Sequence, residues 1–120
     1  MMNEEEKREM MMDFERNRQM LASLSGQKQQ FEIQVAVIKA SLEELKDTKE
    51  KSVFKIIGNI LISKSVEEMT NELKEQLEIF ELRLKTVEKQ EETIIKKLNS
   101  IKSKIEGKDE DTEEKKTKKK

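Results

Sequence analysis

VFKIIGNILISK, Val53 to Lys64, is a short strand signal set between two long heptad repeats. Val, Ile and Phe suit a pleated backbone, and the central Gly58-Asn59 pair supplies the positive φ that a two-residue hairpin turn demands. With that turn Ile57 pairs with Ile60, Ile56 with Leu61 and Lys55 with Ile62. One face then carries Val53, Ile57, Ile60 and Ile62, and the other carries Phe54, Ile56 and Leu61. Both faces are apolar and both edges hold unpaired backbone groups. A hairpin of this size is marginal alone in water. Fully burying each large apolar side chain is worth about 1.5–3 kcal/mol, and nothing else in the chain is placed to cover them all. Val53, Phe54, Ile56, Ile57, Gly58, Asn59, Ile60, Leu61 and Ile62 are therefore expected to complete a sheet with strands of other subunits.

Outward from the hairpin, the first helix is expected over about 3–48. Asn3 can cap it, Glu6 stands at the third helical position of a capping box, and Glu4 and Glu5 complement the macrodipole. Its seam consists of two rows spaced by seven: Phe14, Leu21, Lys28, Val35, Leu42, and Met10, Asn17, Leu24, Phe31, Ile38, Leu45. Gly26 sits inside this helix at a cost of roughly 1 kcal/mol relative to Ala and is expected to mark a local bend.

The second helix is expected over about 65–106, starting at a Ser65/Glu68 capping box. Its rows are Thr70, Leu77, Leu84, Glu91, Leu98, Ile105, and Val66, Leu73, Phe80, Val87, Ile94, Ile101. Gly107 follows Lys102 and Lys104 and reads as a stop. Residues 1–107 form one expected domain, with the hairpin at about 53–64. Residues 108–120 are acidic and basic with almost no apolar content and are expected to be a disordered tail.

The connection is too short to separate two helices of similar length, so they should fold back as an antiparallel coiled coil. Each helix of about 40 residues would extend on the order of 60 Å, with both termini away from the hairpin. This register sets Phe14 near Ile101 and Met10 near Ile105. Lys28 falls about one layer from Glu91. The two either pair and penalise register slips or snorkel independently.

Composition excludes several classes of function. The chain has 120 residues, 42% charged and 33% hydrophobic, with three Gly and no Pro. It has no Trp, Tyr, His or Cys, so disulfides, thiol chemistry and an ordinary zinc site are excluded, and no cofactor is expected. Absence of Cys fits a reducing cytoplasm. The net charge of −1 argues against a general polyanion binder, so no nucleic acid is expected as a partner. The acidic, polar first residues do not suggest a signal peptide. No segment approaches the roughly 20 apolar residues that span a bilayer, and no membrane association is expected.

The arrangement helix, FKIIGNILIS, then VEEMTNELKEQLEIFELRLKTVEKQEE resembles the β-type subunits of prefoldin over about 14–105. The likeness is most specific from Val53 through Glu92, and the Gly58-Asn59 turn is similar to that of archaeal β subunits. The resemblance implies a mainly α fold whose hairpin joins an intersubunit β-barrel. It implies a hetero-hexamer of two α-type and four β-type subunits. It further implies an ATP-independent holdase that binds unfolded proteins at the coiled-coil tips and delivers them to a group II chaperonin.

The residues add their own signature at the tip. Met1, Met2, Met10, Met11, Met12, Phe14 and Met20 include most of the chain's seven Met. Successive helical residues lie about 100° apart, so at least one of Met10, Met11 and Met12 must be exposed. Flexible, polarizable Met suits surfaces that fit many apolar sequences; otherwise these residues pad a fraying helix end. The candidate client-binding set is Met1, Met2, Met10, Met11, Met12 and Phe14, with Ile101 and Ile105 from the second helix.

Other chemistry is weak. Carboxylate pairs such as Glu67-Glu68 and Glu91-Glu92 arise in any charged helix and have no cleft to perturb them, so an enzyme is not expected. The glycines at 26, 58 and 107 are too far apart for a phosphate loop. The KKTKKK ending is offset by the neighbouring DEDTEE and reads as solvated. Ile33, Val37, Ile79, Leu82 and Ile95 lie off the seam, either widening the helix packing or facing neighbours. The competing functional reading is a structural adaptor that binds one specific folded partner.

Overall fold

The computed structural model describes residues 2–107, so the tail expected over 108–120 lies outside the described residues. The element order is helix α1 (Glu4–Asp47), strand β1 (Ser52–Ile57), strand β2 (Ile60–Ser65) and helix α2 (Val66–Ile105). It is a two-helix antiparallel coiled coil carrying a β-hairpin between its helices. The described residues divide into two units, 28–86 and 2–27 with 87–107.

Local chemistry sets the boundaries. The Glu6 amide donates to Asn3 Oδ1 at 2.8 Å, which makes Asn3 the N-cap of α1. The helix ends where the Thr48 amide donates to the Glu44 carbonyl and the Thr48 hydroxyl accepts from the Glu50 amide. At α2 the Glu68 amide donates to Ser65 Oγ at 3.0 Å, while that hydroxyl donates to Glu68 Oε1 at 3.2 Å. The carboxylate thus bonds the capping side chain itself. Gly107, at φ 73°, closes α2 with its amide donating to the Lys104 carbonyl.

In the unit Lys28–Thr86, β1 and β2 pair antiparallel in the register Val53↔Lys64, Lys55↔Ile62, Ile56↔Leu61 and Ile57↔Ile60. This is the register read from the turn length. The turn chemistry differs in one respect: only Gly58, at φ 57°, has positive φ, and Asn59 does not. Positive φ at the first central residue alone is the type II′ pattern, which needs glycine at that position only. The Val66 amide donates to the Lys51 carbonyl at 3.0 Å and closes the base of the hairpin. Val35 and Ile38 are buried in this unit, and the Phe31 and Phe80 rings lie 6.1 Å apart at a 46° tilt. Arg83 stacks its guanidinium 5.6 Å from the Phe80 ring centre.

In the other unit Val87, Ile94 and Ile101 form the core with Asn17. Asn17 is satisfied within its own helix, donating to the Asp13 carbonyl and carboxylate. Ser25 donates its hydroxyl to Glu91 Oε2 at 2.9 Å across the two helices. Every residue of the four heptad rows is buried or half-buried. Ile33, Val37, Ile79, Leu82 and Ile95 remain exposed, so they do not widen the helix packing. Among the described residues no helix is long and apolar enough to cross a membrane.

Candidate functional site

The hairpin presents two unequal faces. Lys55 on β1 and Lys64 on β2 share the face that also carries Val53, Ile57, Ile60 and Ile62. Both lysines reach Glu72 on α2: Lys55 Nζ bonds Oε1, and Lys64 Nζ bonds Oε2 at 3.0 Å. All three side chains are about three-quarters buried. This face is therefore turned toward the chain's own second helix, and Val53 is half-covered. The hydrogen bonds from Lys55 and Lys64 hold the Glu72 carboxyl below its usual pKa, with burial opposing them.

The opposite face is open. Phe54 is 69% exposed, Ile56 73% and Leu61 62%. Ile57, Ile60 and Ile62, nearer the turn on the helix-facing side, are exposed as well. The sheet has only two strands, so each strand keeps one unpaired edge. Of the residues expected to join other subunits, Val53 alone is partly occupied within the chain, while Gly58 and Asn59 form the exposed turn.

The sequence reading missed Glu72 and its two lysines. The available signal was that Lys55 and Lys64 interrupt an otherwise apolar face at paired positions two registers apart. That pattern calls for a shared anion, but the hairpin's angle to α2 was needed to identify it.

The methionine-rich helix ends form a second surface, within the unit that joins 2–27 to 87–107. Met2, Met10 and Ile105 line an open groove together with Glu6, Lys7, Lys104, Glu106 and Gly107. Met10 and Ile105, placed near each other by the expected register, line the same groove. Met11 and Met12 stand outside the seam, 61% and 58% exposed. Phe14 is half-buried in the seam. Ile101 is only 9% exposed and takes part in the core, reaching the surface through a groove shared with Asn17, Met20 and Lys97. Met20, half exposed, extends the apolar surface. Met1 lies outside the described residues. Beside this surface Arg18 clamps Glu15 with two hydrogen bonds, of 2.6 and 3.0 Å, which hold the Glu15 carboxyl below its usual range. That pair is open to solvent and adds little to stability.

The open hairpin face is apolar, and the helix-end groove sets Met2, Met10 and Ile105 beside Glu6, Lys7, Lys104 and Glu106; both lie open to solvent, as binding surfaces do. Residues 8–112 match the family Prefoldin subunit. The prefoldin subunit beta of Methanothrix thermoacetophila is 33% identical over 88 residues, covering 72% of this chain and 73% of the relative. That of Methanospirillum hungatei is 27% identical over the same shares of both chains. The crystal structure of the prefoldin beta subunit from Thermococcus strain KS-1 superposes with a TM-score of 0.79 at 26% identity, covering 85% of this chain and 90% of that one. Heptad rows, II′ hairpin and these likenesses converge on one conclusion: the chain belongs to the prefoldin subunit family, a family of chaperone components rather than enzymes.

Proposed function

We propose that this chain is the β-type subunit of an ATP-independent holdase in the cytoplasm, assembling with an α-type subunit as an α2β4 hetero-hexamer. The hairpins associate through their open faces and edges into an intersubunit β-barrel. The methionine-lined helix ends hold unfolded proteins and pass them to a group II chaperonin. The observation that carries this reading is the exposed face of Phe54, Ile56 and Leu61 on a sheet of only two strands. Such a surface is stable in water when strands of other subunits cover it.

A structural adaptor would share the hairpin but would need one shape-specific epitope. The helix ends instead offer Met2, Met10, Met11, Met12 and Met20, side chains that conform to many apolar sequences. Native mass spectrometry of the chain, alone and with an α-type subunit, followed by an aggregation assay on denatured proteins without nucleotide, tests the proposal. A hexamer that keeps several unrelated proteins soluble at stoichiometric amounts supports it. A monomer, or an oligomer that protects none of them, overturns it.

A further inference from the structure

Glu72 is the one acidic residue among those described that the structure ties to both strands of the hairpin at once. Its two oxygens are divided between them, Oε1 to Lys55 of β1 and Oε2 to Lys64 of β2. Lys55 and Lys64 lie on one face of the sheet, two register positions apart along the ladder. A rigid two-stranded ribbon bonded at both strands to a point on α2 has little freedom to rock or roll about its base. The second tether is the Val66 amide on the Lys51 carbonyl, where the hairpin returns to the helix. That backbone bond sets where the hairpin is attached, and the carboxylate sets the direction in which it points. The same bonding turns the face of Phe54, Ile56 and Leu61 away from α2 and leaves it open.

From this geometry we infer that Glu72 is a positioning residue for assembly, holding the hairpin at the angle at which strands of a second prefoldin-type subunit can add to it. The inference rests on the proposed role of the hairpin in joining subunits. Without the carboxylate, the two lysines on the helix-facing side lose their shared anion and the ribbon samples other angles. Each encounter with another subunit then has to select the competent orientation, which weakens assembly without altering the helices.

Glu72→Gln keeps the size of the side chain and removes its charge. A second variant, Glu72→Lys with Lys55→Glu and Lys64→Glu, inverts the trio and restores the attraction. Hydrogen exchange of the amides at 53–62 reads the tethering, and sedimentation of the wild-type and variant chains with an α-type subunit reads assembly. In Glu72→Gln, hairpin exchange should quicken about fivefold and the assembly midpoint should move about fivefold to higher concentration, with helical content unchanged; this is the top of the range for exposed ion pairs, as suits a trio that is mostly covered. The inverted trio should return both readouts toward wild type. Unchanged assembly in Glu72→Gln, or an inverted trio no better than Glu72→Gln, overturns the inference. A wild-type chain that never assembles defeats the functional reading itself, a result distinct from a wild-type and a Glu72→Gln that assemble alike.

Discussion

At the residue scale, single side chains settle where each element begins and what holds it. Asn3 and Ser65 were legible because a short polar side chain three residues before a Glu is a local signal, and both amide-to-side-chain bonds form. Glu72 was not legible, because its partners are 17 and 8 residues away and meet it only once the hairpin has an angle. Its chemistry predicts a pH dependence. Hydrogen bonds from Lys55 and Lys64 hold its folded pKa below the ordinary carboxylate range. Its contribution is therefore complete above the unfolded value, and is lost as pH falls through the lowered folded one. Wild type and Glu72→Gln should differ in hairpin protection by a constant amount from pH 7 to about pH 5. The difference should close under stronger acid, as followed by hydrogen exchange or two-dimensional NMR; one that persists fully protonated would assign it to another group.

At the scale of elements, the seven-residue spacing carried nearly the whole helical architecture. Each row residue from Met10 to Leu45 and from Val66 to Ile105 is at least half-buried, because the repeat must face a partner helix whatever its details. The turn was legible in length and register but not in type, since Gly58-Asn59 is compatible with two primed turns and only the backbone shows that Asn59 avoids positive φ. Gly26 proves not to end or divide α1, which is assigned as one helix from Glu4 to Asp47. A Cβ added there meets no atom within 4 Å. Gly26→Ala should then stabilise the chain by about 1 kcal/mol in a urea titration, and a loss of stability would show that the glycine is needed for its freedom. Ile94 is 6% exposed and Leu82 66%. Ile94→Ala should cost about 2–5 kcal/mol, while Leu82→Ala should stay within about 0.5 kcal/mol, both by thermal or chemical melting of the same assembly state.

At the scale of the whole molecule, the lack of His and Cys excluded disulfides, thiol chemistry and an ordinary zinc site at the outset, and drew attention to the surfaces. The hairpin surface was legible because its two apolar faces exceed anything a two-helix chain can cover. The methionine surface was legible only in outline: the 100° step required one of Met10, Met11 and Met12 to be exposed, and the structure exposes the last two. Which seam residues remain reachable could not be read from spacing, and Ile101 proves to be largely interior. Replacing Met10, Met11 and Met12 together by Ser should reduce suppression of client aggregation several-fold while sedimentation still shows the intact oligomer. Full suppression with an intact oligomer would make these side chains dispensable. The open strands carry a cost of their own. Ile60, Leu61 and Ile62 run consecutively beside an unpaired edge, an exposed apolar strand with which another chain can pair and aggregate. An orphaned copy is thus a nucleus for deposits, and a cell making this chain gains by matching its synthesis to that of its companions and by degrading any surplus.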